Sequence, residues 1–182
     1  MPFRPDRRFR KAPLRRGFLR ATDGSAAIEF GMVALPFLFM VFAILELCLV
    51  FVLDSVLDNA TAQTGRLVRT GQASAASMTA EQFKTSLCGR MSIFSGDCAS
   101  RVTIDVREIP QFAIVPPDPM ADGTTFDPGV LTYTNGDPGD LILVRVWYRH
   151  PLITPLLAQG LSRLNDGTAR LTAATAFRNE PA

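Results

Sequence analysis

Residues 30–53, FGMVALPFLFMVFAILELCLVFVL, decide the fold of this chain. These 24 residues include one charged side chain, Glu46. A helix of this length is about 36 Å long, enough to cross a hydrocarbon core of about 30 Å. The core helix of a soluble protein would carry a polar stripe, and residues 30–45 have none. The stretch therefore predicts one membrane-spanning helix, which Pro36 is expected to kink.

A short basic arm precedes the apolar stretch. Residues 1–23 hold eight Lys or Arg residues and two Asp residues, so the arm carries +6 and the other 159 residues of this +2 chain carry −4. By the positive-inside rule the arm is expected in the cytoplasm, with the region after the helix outside. Because the positive charge is confined to this arm, the sequence does not indicate a nucleic-acid partner.

Two carboxylates interrupt the apolar pattern, and a charge at bilayer depth costs a few kcal/mol or more unless it is paired or reaches water. Glu29 lies at the cytoplasmic edge of the predicted span, at the level of the headgroups. Glu46 lies seven residues before the outer end, about 10 Å along the helix. Two interpretations stay open for Glu46: it snorkels toward the interface, or it contacts a partner helix.

The helical pattern continues beyond the membrane. Apolar or small residues recur at spacings of three or four as far as Val68, and Gly71 is a plausible stop. We therefore divide the chain into a basic cytoplasmic leader at residues 1–24, one long helix at residues 25–71 with a span of about 30–53, and an extracytoplasmic domain at residues 72–182.

The C-terminal domain is predicted to be α+β, with a small antiparallel sheet. Strands are expected at residues 102–107, 141–148 and 171–177, and a short one near 131–134, because these runs alternate or are rich in β-branched and aromatic residues. A short helix is expected around residues 81–87. The Pro- and Gly-rich segment 110–140 is either a recognition loop or a variable one. Residues 151–161 are either a core-covering helix or a membrane-surface contact.

The cysteines predict one disulfide and one free thiol. The sequence shows no pattern of catalytic residues. Cys88 and Cys98 enclose nine residues in the region expected outside the cytoplasm, so we predict a disulfide between them. Cys48 lies in the span and is expected to be a buried free thiol. The single histidine, His150, has no neighbouring nucleophile, and no metal-ligand spacing occurs. We expect neither an enzyme nor a cofactor, and no metal site.

Residues 23–30, Asp-Gly-Ser-Ala-Ala-Ile-Glu-Phe, resemble a type IV prepilin peptidase site. The wider stretch through Glu46, with its small residues, its Glu-Phe pair, its proline and its second glutamate, resembles the TadE-like family of minor pseudopilins in tight-adherence (Tad) pilus systems. The chain end, Phe-Arg-Asn-Glu-Pro at residues 177–181, fits the same family. The resemblance is strongest over residues 15–70 and implies a pilin-like fold.

This resemblance implies a function and its residues. The cut would follow Gly24, so that Ser25 begins the mature chain and Glu29 becomes its fifth residue. The new α-amine of one subunit would neutralise Glu29 of the next, while Glu46 would be an assembly residue. The implied partners are the bacterial inner membrane, a prepilin peptidase, other pilins or pseudopilins and the Tad machinery, with the C-terminal domain in the periplasm.

Three other interpretations stay open. The chain could be an uncleaved single-pass anchor or scaffold of the Tad secretion apparatus. The run Arg-Arg-Gly-Phe-Leu-Arg at residues 15–20 is similar to a twin-arginine export motif, although the apolar segment after it is long for one. Cleavage after Ala62 by signal peptidase I would release a secreted binding domain beginning at Gln63.

Overall fold

The computed structural model describes residues 23–113, 116–117, 119, 127–161 and 167–181. The elements in chain order are α1 (Asp23–Arg69), α2 (Gln72–Ala75), α3 (Ala80–Gly89), a 3-10 turn (Ser92–Phe94), α4 (Ser95–Arg101), β1 (Val102–Glu108), a second 3-10 turn (Pro128–Val130), β2 (Leu141–Pro151), α5 (Pro155–Leu161) and β3 (Thr168–Arg178). The chain divides into two compact units, Met1–Val41 and Phe42–Ala182. The predicted class, a long N-terminal apolar helix followed by a domain with a small antiparallel sheet, is confirmed.

The described part of the first unit is the beginning of α1. Its large apolar side chains are mostly exposed, for example Phe30 at 74% and Met32 at 72%. Among the described residues, α1 is the one helix long and apolar enough to cross a membrane, and only 11% of its most apolar window is buried. The core helix of a soluble protein would be buried instead. The helix is therefore consistent with a single-pass membrane anchor.

The second unit is built along one face of α1. The buried positions on this helix recur at spacings of three or four residues, which places them on one stripe. They are Ala43, Glu46, Val50, Leu53, Leu57, Ala60, Thr64 and Val68. The helix ends at Arg69, and Gly71 follows with a φ of 73°, a left-handed conformation that glycine adopts without strain.

The sheet has the order β1-β2-β3 and is antiparallel throughout. Alternate residues of the central strand β2, from Ile142 to Tyr148, are almost fully buried and form the core with the α1 stripe and α3. Gly65 of α1 lets β3 approach closely, because a Cβ there would lie 3.1 Å from Thr175 Cγ2 and 3.2 Å from a ring carbon of Phe177. The sheet is thus held against the helix by apolar packing.

A buried ion cluster lies on the opposite face of the sheet. Asp105 of β1 has a fully buried side chain and pairs with Arg145 of β2 at 2.8 Å and with Arg107 at 2.5 Å. It also accepts a hydrogen bond from the backbone of Thr132. Burial raises the pKa of Asp105, but the hydrogen bonds from Arg107, Thr132 and Arg145 lower it more, so its pKa lies below the ordinary value. The cluster fastens part of the loop between β1 and β2 to the sheet.

The last residues close the domain. Asn179, 5% exposed, donates hydrogen bonds to the carbonyls of Asn135 and Asp137. The backbone N–H of Glu180 donates to the carbonyl of Arg69 at 2.9 Å, which satisfies one of the carbonyls that a helix end leaves unpaired. The C-terminal segment therefore caps α1 and fixes the loop before β2.

All three main strands are confirmed, and the short fourth one is reduced to a bridge between Tyr133 and Val106. The helix predicted around residues 81–87 is α3, whose N-cap is Thr79. Helices α2 and α4 were not predicted.

The predicted disulfide between Cys88 and Cys98 is present, with the Cα atoms 5.6 Å apart. It joins α3 to α4, one of the two helices that sequence reasoning missed. Cys48 forms no disulfide, as predicted, and its side chain lies on the surface of α1 within the predicted span, so its burial in lipid stays a prediction. Its position faces away from the stripe that packs against the domain.

We expect Asp105→Asn to lower the free energy of unfolding by about 3 kcal/mol, because it leaves two partly buried guanidinium groups without their carboxylate. Urea unfolding of the full chain in detergent, followed by Trp147 fluorescence, measures the loss. The pKa of Asp105 is lower in the folded state than in the unfolded state. Its contribution to the free energy of unfolding is therefore complete above the unfolded-state pKa and is lost as pH falls through the folded-state pKa.

Glu180→Gln is the control, since its ion pair with Arg69 is about half exposed on both sides and should contribute less than about 1 kcal/mol. Equal losses in the two variants would show that the Asp105 cluster does not hold the sheet and loop together.

Candidate functional site

The predicted processing residues lie in the first turns of α1. The helix begins at Asp23, so the Gly24–Ser25 peptide bond is inside its first turn. The hydroxyl of Ser25 donates to Glu29 Oε1 at 3.2 Å, and both side chains are exposed. The helix thus brings Ser25 and Glu29 together on one face, one turn apart.

The structure gives no folding reason for a glycine at position 24. A Cβ added there would meet nothing within 4 Å, and Gly24 is not among the glycines with a positive φ. The same holds for Gly31, whereas a Cβ at Gly65 would press against β3. Glycine costs helix stability relative to alanine, so a glycine that packing does not require needs another explanation.

Glu46 is bound by the backbone of its own chain. Its carboxylate accepts hydrogen bonds from the N–H groups of Ile153, at 2.5 Å, and Thr154, at 2.8 Å, which are 107 and 108 residues away in sequence. The residue is 9% exposed. Hydrogen bonds to a charged acceptor are about twice as strong as neutral ones. Glu46 therefore has backbone partners within its own chain, a contact that neither interpretation drawn from the sequence included.

Two prolines position the segment that binds Glu46. Strand β2 ends at Pro151, and α5 begins at Pro155. The residue before a proline is disfavoured in the helical region, so Thr154 cannot simply extend α5. Residues 152–154 form a short connection whose N–H groups at Ile153 and Thr154 point to Glu46, and we call these residues the Glu46-binding turn.

His150 lies beside this turn without a catalytic partner. Burial lowers the pKa of His150 and nearby Arg101 lowers it further, while the carboxylates of Glu46 and Asp97 act in the opposite direction. Arg101 is itself paired with Asp97 at 2.7 Å. Within the part of the chain that the structure describes, no group of three His, Cys, Asp or Glu residues could hold a metal ion.

Sequence reasoning identified Glu46 but missed the residues that bind it. A useful signal existed: a carboxylate at the depth of the membrane needs donors, and the apolar segment at residues 151–161 has N–H groups that its prolines keep out of a regular element. The sequence alone did not predict that Glu46 would contact a segment more than 100 residues away.

We expect Glu46→Ala to open the Glu46-binding turn while the sheet stays folded. Each hydrogen bond to a charged group contributes about 1.5–3 kcal/mol, so amide exchange at Ile153 and Thr154 should accelerate at least tenfold. Hydrogen exchange of the full chain in detergent, read by mass spectrometry on peptides covering residues 150–156, measures this. Glu29→Ala is the control and should leave these amides unchanged. Unaltered protection in Glu46→Ala would show that the turn is held by other contacts.

Comparison with known proteins gives one family match, and it includes these residues. No curated protein and no solved structure matches the chain. The family model described as TadE, TadE-like protein, matches residues 24–66, which include Gly24, Glu29, Glu46 and most of the α1 stripe. The family that the sequence resembles is therefore the one whose model matches, and this match over residues 24–66 supports a Tad pilus-related role.

Proposed function

We propose that this protein is a minor pseudopilin-like subunit in the assembly of a Tad-type adhesive pilus, processed after Gly24 by a prepilin peptidase. The observation that carries the proposal is the TadE-like match over residues 24–66, which begins at the glycine of the proposed cut. The apolar and largely exposed first half of α1 supports a subunit stored in the membrane. As a structural and interaction protein, it would work through contacts and not through catalysis.

Gly24 supports the processing step, because neither packing nor backbone conformation requires a glycine there. A peptidase binds its substrate in an extended conformation, and a glycine lowers the cost of unwinding the first turn of a helix. The recognition of a small residue before the scissile bond would explain a glycine at this position.

Glu29 supports a role in register. Its carboxylate is exposed and accepts a hydrogen bond from Ser25, a weak neutral donor for a charge at the edge of a membrane. After the cut, the α-amine of Ser25 would be a positive charge one turn before Glu29 on the same face of the helix. The pairing of that amine in one subunit with Glu29 of a neighbour would relieve the unpaired charge and fix the axial position of the two helices.

The proposed location is the bacterial inner membrane, with the arm in the cytoplasm and the domain in the periplasm. The +6 arm supports this orientation. The disulfide between Cys88 and Cys98 supports an oxidising compartment for the domain. The prepilin peptidase, other pilins and the Tad machinery would be its partners.

One observation favours a second candidate, an uncleaved anchor of the Tad apparatus. The Gly24–Ser25 bond lies inside the first turn of α1, and a helical bond is a poor protease substrate until it unwinds. Release after Ala62 has less support, because that bond lies in the packed part of α1, beside the buried residues Ala60 and Thr61. A cut there would divide the helix that forms the core.

We expect Gly24→Val to abolish cleavage while membrane insertion and the fold are unchanged, because the added side chain meets nothing. The matched control is Gly31→Val, seven residues along the same helix and equally unhindered, which should be cleaved normally. Co-expression with the prepilin peptidase, followed by mass analysis of the membrane fraction, measures both. Cleavage of Gly24→Val at the wild-type rate and position would contradict the proposed site.

Glu29→Ala separates processing from assembly. We expect cleavage and membrane insertion to continue, whereas the amount of pilus in sheared cell-surface fractions should fall at least tenfold because the register contact is lost. Glu81→Ala, which removes an exposed carboxylate from α3, is the control and should assemble normally. Normal piliation in Glu29→Ala would favour the passive anchor.

A further inference from the structure

An apolar edge of the second unit lies next to Glu46. Ile153, in the Glu46-binding turn, is 87% exposed, and Ile93, in the 3-10 turn before α4, is 80% exposed. Large aliphatic side chains this exposed are costly in water when they lie together with other apolar surface. These two therefore indicate a surface that is covered in the working protein.

The two isoleucines border a groove whose other wall is the helix. The groove has a volume of about 750 Å³, and α1 contributes Phe42, Leu45 and Leu49 to its lining. These three helix residues are 42–59% exposed. The apolar wall of the groove is thus continuous with the face of α1 that faces away from the domain.

The same groove also has polar residues in its lining. Arg101, Asp97 and His150 line it, and Arg101 is paired with Asp97. A groove that combines an apolar helix wall with charged and titratable side chains suits the boundary between the acyl chains and the headgroups of a bilayer.

The length of the span places this groove at membrane depth. A span that begins after the charge of Glu29 needs about 20 residues, so it extends to about Leu49. The domain already packs on α1 from Ala43 onward. Helix residues 43–49 therefore belong to the span and also pack against the domain. This overlap brings the Glu46-binding turn to the outer edge of the hydrocarbon.

We infer that the domain is seated in the outer leaflet of the membrane, with the hydrocarbon of the lipids filling the groove beside Ile153 and Ile93. We favour lipid as the occupant because the helix residues that line the groove belong to the predicted span, whose surface contacts lipid. Glu46 fits this position, since its two backbone donors replace the water that a carboxylate would lack there. The inference rests on the membrane helix alone and is independent of cleavage and of pilus assembly.

Fluorescence quenching by lipids tests this placement. In a Cys48→Ser background, which removes the exposed cysteine that is not in the disulfide, Ile153→Cys is labelled with bimane and the full chain is reconstituted in phosphatidylcholine vesicles. Phosphatidylcholine brominated on its acyl chains then quenches only a label in the hydrocarbon. We expect quenching at position 153 at least threefold stronger than at a control site.

The control site is Glu180→Cys in the same background. The backbone of Glu180 is bonded to Arg69, which is 23 residues beyond Glu46 and so about 35 Å farther along α1. Equally weak quenching at both sites would overturn the inference.

Discussion

The packing of one stripe of α1 against the sheet is the contact on which the rest of the domain depends. The stripe runs from Ala43 to Val68, and its most buried apolar members are Leu53 and Leu57, both 0% exposed. Without it, the three strands would form a thin sheet with one apolar face in water. Because the same helix carries the predicted span, the position of the domain along α1 also fixes its height relative to the membrane.

Glu46 lies where the packing of the domain and the membrane span overlap. The residue lies on the buried stripe and within the predicted span, where an unpaired carboxylate would be costly. The backbone of the Glu46-binding turn supplies two donors, so the charge is satisfied within the chain. The contact also ties the segment between β2 and α5 to the helix, which makes Glu46 a structural residue of the TadE-like segment. Glu29, by contrast, is exposed and retains the capacity to pair with another subunit.

Local patterns in the sequence predicted the parts of the fold that local physics determines. Uninterrupted apolar composition predicted the long helix, alternation predicted β1, and β-branched and aromatic residues predicted β2. The close spacing of Cys88 and Cys98 in the region expected outside the cytoplasm predicted their disulfide. The contacts that join distant segments could not be predicted in this way. Asp105 meets Arg145 from 40 residues away, and Glu46 meets Ile153 from 107.

The same division applies to the candidate sites. Gly24, Ser25 and Glu29 were identified because their significance lies in a short motif, and the structure adds that packing does not require the glycine. Helix α4 was missed because its sequence, Ser-Gly-Asp-Cys-Ala-Ser-Arg, has little helical propensity of its own. It is held by the disulfide and by the core, in which Cys98 is 0% exposed. Residues 177–181 were identified only by resemblance. The structure shows that they cap α1, through the hydrogen bond from the backbone N–H of Glu180 to the carbonyl of Arg69.

The proposed function joins a membrane helix, a processing motif and an outer domain in one account, and its central claim is that the chain matures by a cut after Gly24. Intact-mass and N-terminal peptide analysis of the wild-type protein from its native membranes, with and without the prepilin peptidase of the host, tests that claim most directly. The account predicts a chain that begins at Ser25 and reverts to the uncut form when the peptidase is deleted. A chain that begins at Met1 in both strains, or at Gln63, would contradict it.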